Sequence, residues 1–508
     1  MLAGGCANPV VVRQVDPVSS LDRDVEKQLA AAYASIRRSG TSSEQLRDAV
    51  DDYNIALAAL LAKPDALVEL TPDGTGVGSS KDFERLLVSE RLSITGLRNR
   101  HRRAGIGVAL VGFNANHQVS PIEEFLPPEG ITRPVSAVAT FDADESLLLE
   151  LFDSTAAVSV TLNGHALPLA ADFTAPYAYL IARTKFSQTR LTATLDASVY
   201  DERTGVYLLE DYDPSKIPVL MVHGLLSSPL TWREMTNDLF GDATVRRRYQ
   251  VWHYVFPTGI PYLHSAATFR EDLARTLAFF DPEGDDCATR NLVVLAHSKG
   301  GLLAKTLVAD SGTHLWDTAF TVPPEALAST PADTARMRRA LFFAHDRRVR
   351  RVVFIAVPHR GSAKADNPLA RIAAAQVQLP ADEAAAFERV LAQNREVLQP
   401  RMESRLRSGL PSGPAALSER DPFLPVLADL RVHPSIAFHT IVGEVAEGRG
   451  TDGIVTHASA YQAGAESELV VTGARHDVHV HEETVQEVKR ILDIHAAGAT
   501  DAACAPPV

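Results

Sequence analysis

The chain has 508 residues, roughly three to four times the ~150 residues typical of one domain, so it allows one extended unit or two to three domains. Hydrophobic residues make up 45% of the chain and charged residues 22%, a balance typical of globular proteins and not of disordered ones. The formal net charge of −13 argues against nucleic acid as a main partner, because backbone-driven binding needs a basic excess.

The three cysteines, Cys6, Cys287 and Cys504, are too few and too scattered for a disulfide framework or a four-cysteine zinc site. The chain has no run of 18 apolar residues, so the sequence predicts no transmembrane helix. The opening that ends at Cys6 is similar to the end of a bacterial lipoprotein signal, in which the cysteine is lipidated. The apolar stretch that normally precedes such a signal is missing, so either the start is assigned too late or the match is chance.

Helical patterns dominate the first segment, which we place at residues 1–104. A run ending at Arg38 and a second run after the capping box of Thr41 and Glu44 predict two packed helices. A third helix is predicted over residues 81–97, followed by a basic cluster. Two interpretations of that cluster stay open: a solvated helix end, or a contact with anionic lipid headgroups. The cluster consists of Arg98, Arg100, His101, Arg102 and Arg103.

Short β-like runs separated by turn residues fill residues 105–213. This segment contains no cluster of titratable residues in the sequence, so we expect it to be scaffold or binding surface.

From residue 214 to 498, apolar strands alternate with helical patterns, which predicts an α/β domain with a mainly parallel sheet covered by helices on both faces. The strands are predicted at residues 219–222, 250–254, 292–295, 352–357, 436–442 and 469–471. Two helical inserts, at about 313–349 and 364–430, are candidate lids, and residues 499–508 form a tail.

The most informative motif is a buried strand followed by Ala296-His-Ser298-Lys-Gly300 and then a helical pattern. In that setting the pattern small-x-Ser-x-Gly lifts a serine hydroxyl above the sheet on a strained turn. Ala296 stands where the pattern usually has Gly, but it is also small. We therefore predict that Ser298 is a nucleophile and not an ordinary turn serine.

Acyl transfer needs backbone N–H groups aimed at the developing oxyanion. In this fold they come from the residue after the nucleophile and from the loop after an early strand. The candidates are the amides of Lys299 and Leu225. His223, directly before Gly224, is more naturally a structural residue than a base.

The acid and the base should follow the serine in the order Ser, Asp or Glu, His. Asp452 and His476 both come after predicted strands, at the edge where open α/β sheets place their ligands. His479 and His481 are rivals of His476 as the base. Asp477 is a poor acid for its neighbour because adjacent side chains diverge.

Three other features of the sequence allow more than one interpretation. Alternate residues of a strand share a face, so His479 and His481 could pair on a metal, but no second ligand cluster is evident in the sequence and we predict no metal site. His359 and Arg360 could line the site, although packing and turn roles are favoured. The ammonium of Lys299 could reach water or an acidic lid residue, or it could select anionic substrates at the rim of the site.

Together, these ordered motifs resemble bacterial α/β-hydrolase lipoproteins of the serine esterase/lipase type and, more distantly, GPI inositol deacylases. The resemblance covers roughly residues 216–495. It implies an α/β-hydrolase fold, no cofactor, ester or acyl-lipid substrates, and a cell-envelope location with a membrane tether through a lipidated Cys6. A cytoplasmic location is the alternative.

The leading functional hypothesis is a serine hydrolase that cleaves carboxylic esters through Ser298, Asp452 and His476 and an acyl-enzyme intermediate. An acyltransferase or a thioesterase would use the same three residues. A different class also stays open, namely a catalytically inactive hydrolase fold that binds a partner or organises the envelope.

Overall fold

The computed structural model describes residues 10–14, 24–38, 43–62, 82–142, 144, 146–184, 203–366, 381–406 and 415–498. These residues form two compact units. The N-terminal unit contains the described residues up to 184 together with Thr236–Arg247, and the C-terminal unit contains the other described residues. Cys6, Cys504 and the predicted tail lie outside the described residues.

The N-terminal unit is built on a four-stranded antiparallel sheet with the order β2-β5-β6-β7. Smaller antiparallel pairs join β1 to β3, β4 to β10, and β8 to β9. The strands are β1 Val11–Gln14, β2 Arg85–Val88, β3 Leu92–Thr95, β4 Arg102–Arg103, β5 Val108–Asn114, β6 Ile131–Phe141, β7 Leu147–Asp153, β8 Ser159–Leu162, β9 His165–Pro168 and β10 Ala171–Asp172. The helices before residue 200 are α1 Asp24–Arg38, α2 Ser43–Leu60 and α3 Thr174–Arg183.

Helices α1 and α2 confirm the two helices predicted from the apolar spacing. Their buried faces share one hydrophobic core with the strands, including Leu29 and Leu57 from the helices and Leu151 from β7. The hydroxyl of Tyr53 donates a 2.6 Å hydrogen bond to the carbonyl of Ala139 inside this core. The helices and the β-rich segment therefore stabilise each other by common burial.

The helix predicted over residues 81–97 is wrong. The structure has strand β2, a 3₁₀ turn at Ser89–Arg91 and strand β3 in this region. A short apolar run fits a helix or a strand equally well, and pairing decides between them. Here β2 pairs with β5, and β3 pairs with β1, which the local sequence does not reveal.

The basic cluster follows strand β3, so its interpretation as a helix end is wrong as well. Its cations pair with carboxylates of the same unit. Asp172 lies 2.8 Å from Arg100 and 3.2 Å from Arg102, and Asp238 lies 2.8 Å from Arg98. Both carboxylates are nearly inaccessible to solvent, so the cluster ties chain segments together. The lipid-headgroup interpretation stays a prediction, which these ion pairs disfavour.

The C-terminal unit has a seven-stranded sheet with the order β11-β13-β12-β14-β15-β16-β17, in which β11 is antiparallel and the other strands are parallel. The strands are β11 Gly205–Leu208, β12 Ile217–Val222, β13 Tyr249–Val255, β14 Leu292–His297, β15 Val349–Ile355, β16 Ala437–Glu444 and β17 Ser467–Thr472. Each of the six predicted strands is confirmed within a few residues.

The helices after residue 230 are α4 Arg233–Gly241, α5 Ala243–Arg248, α6 Tyr262–Phe280, α7 Cys287–Arg290, α8 Lys299–Val308, α9 His314–Ala319, α10 Pro331–Leu341, α11 Ala381–Gln393, α12 Pro400–Leu406, α13 Phe423–Asp429, α14 His457–Ala460 and α15 Glu482–Gly498. The described parts of both predicted inserts are helical, from α9 to α10 and from α11 to α13. Their role as lids stays a prediction.

Among the described residues, no helix is both long enough and apolar enough to cross a membrane.

Candidate active site

Ser298 occupies a strained turn between strand β14 and helix α8. Its backbone angles are φ 54° and ψ −126°, a region that side-chain-bearing residues rarely adopt. A Cβ atom added to Gly300 would lie 2.5 Å from the carbonyl oxygens of Val222 and His223. Only glycine fits at that position, because α8 begins against the end of β12. This is the strand–turn–helix arrangement predicted from the small residues around the serine.

The loop after β12 lies beside the serine. A Cβ atom added to Gly224 would be 2.9 Å from the Cβ of Ser298, so the two backbones approach closely. The next loop residues are held in place, since the Leu226 N–H donates a 3.2 Å hydrogen bond to Thr258 Oγ1 and Leu226 has a positive φ of 53°. Leu225, whose amide is a predicted oxyanion donor, lies between these two fixed points.

The structure brings the three residues predicted for the triad together. His476 Nε2 lies 2.8 Å from Ser298 Oγ, and His476 Nδ1 lies 2.7 Å from Asp452 Oδ2. Ser298 and Asp452 are buried, whereas the side chain of His476 is 21% exposed. A hydroxyl, an imidazole and a carboxylate in this order form the arrangement that activates a serine for nucleophilic attack.

The second oxygen of Asp452 is fixed by the backbone. The N–H groups of Ile454 and Val455 each donate a 2.7 Å hydrogen bond to Asp452 Oδ1. The loop therefore holds the Asp452 carboxylate in a fixed orientation, with its other oxygen toward His476.

The rival candidates point elsewhere. His479 Nε2 lies 2.6 Å from Thr231 Oγ1, and burial lowers the pKa of His479 to about 3, which keeps the ring neutral. His481 follows the 3₁₀ helix at Val478–Val480, and the hydrogen bond to Ser298 Oγ comes from His476. Because Val478–Val480 is a 3₁₀ helix and not a strand, the alternation behind the proposed His479–His481 metal pair is absent.

His297 is a functional candidate that the sequence analysis missed. Its Nε2 lies 2.8 Å from the backbone carbonyl of His476, so the ring holds the segment that carries the base. Burial is the largest cause that lowers the pKa of His297 well below its usual value, so the ring is neutral and can donate this hydrogen bond. The only signal in the sequence was its place directly before Ser298.

Lys299 differs from both expectations for its side chain. The residue is fully buried, so it neither reaches water nor sits at the rim of the site. Its Nζ donates hydrogen bonds to the carbonyls of Thr258 (2.8 Å) and Ile260 (2.5 Å). Burial lowers the pKa of Lys299 to about 7. The side chain therefore fixes the loop whose Thr258 in turn orients Leu226.

The remaining loop candidates have structural roles. His223 is buried, and burial lowers its pKa to about 4, as expected for a structural histidine and not for a base. His359 is also buried and packs edge-on against Phe354, with 4.9 Å between ring centroids. The Arg360 guanidinium donates to the carbonyl of Tyr461 at 2.9 Å. The packing interpretation of this segment is thus confirmed.

The strand order and the turn at Ser298 define the C-terminal unit as an α/β-hydrolase fold. No protein-family model and no curated protein matches the chain. Among solved structures, the chain is similar to the mature lipase BlEst2 of Bacillus licheniformis, with 15% identity and a TM-score of 0.32 over 56% of this chain and 97% of the lipase.

Two further similar structures have related descriptions. A carboxylesterase of Nitrososphaera gargenis shows 13% identity and a TM-score of 0.31 over 58% of this chain and 96% of its own. A lipase-esterase related protein of Clostridium acetobutylicum shows 12% identity and a TM-score of 0.30 over 56% of this chain and 98% of its own. Likeness this remote says nothing about the reaction, which has to be argued from the residues of the site.

Proposed function

We propose that the protein is a serine hydrolase that cleaves carboxylic esters, with Ser298 as nucleophile, His476 as general base and acid, and Asp452 as the orienting carboxylate. The observation that carries this proposal is the pair of hydrogen bonds from Ser298 Oγ through His476 to Asp452, at 2.8 and 2.7 Å. The strained turn that presents the hydroxyl supports it further.

In the first half of the reaction, Ser298 Oγ attacks the ester carbonyl carbon while His476 Nε2 takes the hydroxyl proton. The tetrahedral intermediate collapses, the imidazolium returns the proton to the leaving alkoxide, and an alcohol departs from the acyl-enzyme. Asp452 favours the Nδ1–H tautomer of His476 and stabilises the cation that forms.

In the second half, His476 takes a proton from water, the resulting hydroxide attacks the acyl carbon, and the carboxylic acid leaves as Ser298 regains its proton. The amides of Leu225 and Lys299 are the proposed donors to the oxyanion in both halves. The hydrogen bonds at Thr258 hold the loop that contains Leu225, which supports a donor positioned before substrate binds.

Acyl transfer to an alcohol and thioester hydrolysis use the same residues and differ only in the acceptor or the leaving group. An inactive binding protein has no need for a strained serine within 2.8 Å of a histidine, so the geometry favours catalysis over that alternative.

A fluorophosphonate probe tests the proposal directly, because it reacts with an activated serine. We expect one label per chain on the peptide that contains Ser298, and no label in Ser298→Ala. The matched control Ser329→Ala, which changes a serine of the first insert, should label like the wild type. Equal labelling of Ser298→Ala would contradict the assignment.

The rate of hydrolysis of a short p-nitrophenyl ester measures how much catalysis depends on Ser298. We expect Ser298→Ala to lose most of the rate enhancement, on the order of 10⁶-fold in kcat, because the remaining groups have no nucleophile to activate. Undiminished turnover would show that the ester is cleaved elsewhere.

We also propose that the protein works in the cell envelope, in keeping with the lipoprotein resemblance and a lipidated Cys6. Metabolic labelling with a fatty acid, followed by membrane fractionation, should show a labelled membrane protein and no label in Cys6→Ala. Recovery of an unlabelled protein with reduced cysteines in the cytoplasm would favour the alternative.

A further inference from the structure

A second group of chemically active side chains lies away from Ser298. It consists of Asp310, which follows helix α8, His345, which precedes strand β15, and His433, which precedes strand β16. One carboxylate oxygen and one ring nitrogen from each histidine all lie within 4.8 Å of one another. Because the two histidines precede parallel strands whose other ends carry the catalytic loops, the group lies about 20 Å from Ser298.

The backbone holds these three residues together. The N–H of His433 donates a 2.7 Å hydrogen bond to the carbonyl of Val308, and Ala309 pairs with Val432 in an antiparallel bridge. The backbone N–H of His345 donates to Asp310 Oδ1 at 2.8 Å. The side chains therefore project from segments whose spacing is fixed without any ligand.

The side chains have to rearrange to hold an ion. His345 Nδ1 lies 2.8 Å from Asp310 Oδ1, and the rings of His345 and His433 stack with 3.6 Å between centroids. Because the lone pairs of an imidazole lie in the plane of its ring, the stacked rings must rotate before both face one ion. His433 Nδ1 accepts a 3.3 Å hydrogen bond from the backbone N–H of Ser435, so a neutral ring carries its proton on Nε2, and that proton must leave before Nε2 binds a metal.

The charges around the group are of both signs. Asp310 carries one negative charge and is half-exposed beside the two histidines. Arg350 and Arg431 line an open cavity of about 990 Å³ that His433 and Ser435 also line. Their positive charges disfavour a cation, so its binding depends on the negative charge of Asp310.

We propose that Asp310, His345 and His433 bind a divalent transition-metal ion of the Zn²⁺ type. Two imidazoles and one carboxylate form a common ligand set for such ions, with solvent in the open position. Ligands about 2.0–2.1 Å from a tetrahedral ion lie about 3.3 Å apart, so two ligand atoms at the 4.8 Å limit would have to approach by about 1.5 Å. The half-exposed Asp310 side chain can make this adjustment.

The ion would join the end of helix α8 to the starts of β15 and β16. Helix α8 begins at the catalytic serine, so the metal would stabilise the part of the sheet that carries the site without contacting substrate. This inference is independent of the proposed esterase function.

The test uses the full chain, stripped of metal with a chelator and titrated with Co²⁺ and then Zn²⁺. We expect one equivalent of Co²⁺ with visible absorption typical of nitrogen and oxygen ligation, its displacement by Zn²⁺, and a higher melting temperature with Zn²⁺. Competition against a chromophoric chelator gives the dissociation constant.

Three variants remove one ligand each. His345→Gln and His433→Gln should each weaken Zn²⁺ binding by on the order of 100-fold and abolish the rise in melting temperature, and Asp310→Asn should weaken binding by at least about tenfold. Asp310→Asn changes a half-exposed side chain and keeps its shape, so it serves if a histidine variant fails to fold. His165→Gln, in the N-terminal unit, is the matched control and should bind like the wild type. Unchanged Zn²⁺ affinity in the folded ligand variants, or no binding by the wild type at millimolar Zn²⁺, would overturn the proposal.

Discussion

Two groups of histidines lie at opposite ends of the same parallel sheet, and they differ in burial. At the carboxyl ends of the strands, the ring centroid of the buried His297 lies 5.0 Å from that of His476 and 4.1 Å from that of His479, which is also buried. At the amino ends, His345 and His433 are only partly buried beside an exposed carboxylate.

The difference shows that burial and neighbouring groups determine what each histidine side chain can do. Burial keeps His297 and His479 neutral, so they can position neighbours but cannot exchange protons near neutral pH. His476 is the member that faces both a hydroxyl and a carboxylate, which is the position that the proposed mechanism needs for its base. His345 and His433 keep contact with solvent, from which an ion can arrive.

Among variants that keep the Ser298 nucleophile, the largest effect is expected from Asp452→Asn. The amide can donate to His476 Nδ1 and thereby favour the wrong tautomer, so kcat for a p-nitrophenyl ester should fall by about 10⁴-fold while the fold survives. Steady-state kinetics, with circular dichroism as the check on folding, measures this. Asp477→Asn is the matched control and should change kcat little. A larger loss in Asp477→Asn than in Asp452→Asn would mean that the acid has been misassigned.

A smaller effect is expected from His297→Phe, which keeps a ring but removes the donor to the His476 carbonyl. Misplacement of the base by a fraction of an ångström should lower kcat by about 10- to 100-fold with little change in KM. His253→Phe, at a buried histidine of strand β13, controls for the loss of a buried imidazole. Equal kcat values for the two variants would show that His297 only fills space.

The smallest effect on turnover is expected from substitution of Lys299. The same substitution should change the pH dependence of stability clearly. In the unfolded chain its pKa is near 10.5, and burial lowers the folded value to about 7. Between pH 7 and 10.5 the unfolded chain binds more protons at Lys299 than the folded chain does, so the free energy of unfolding rises with pH. Below pH 7 Lys299 is charged in both states, and the full cost of burying that charge lowers the stability.

The free energy of unfolding of the wild type should therefore rise by about 2 kcal/mol more than that of Lys299→Met between pH 7.5 and 9. Urea unfolding at the two pH values measures this. Parallel pH profiles for the two proteins would contradict the lowered pKa, and Lys299→Arg, which stays charged, should lack the rise as well.

The sequence predicted the strands around Ser298 well because each is a short run of buried apolar residues that ends in a turn signal. Gly300 was informative because a glycine at this position indicates that two backbone segments approach closely. In the structure, the segment that Gly300 approaches is the end of β12, at the carbonyl oxygen of Val222. The segment at residues 81–97 was predicted wrongly because its apolar run fits either kind of element, and the partners that decide, β1 and β5, are distant in sequence.

The sequence by itself determined the α/β order of the C-terminal unit, the strained serine and the succession of Ser298, Asp452 and His476, because these depend on local patterns and chain order. Only the tertiary structure decided that Lys299 is buried, that His297 holds the backbone of His476, and that Asp310 meets two histidines. These facts depend on the packing of segments far apart in the chain, and no local pattern records which distant side chains share a buried space or a ligand-sized gap.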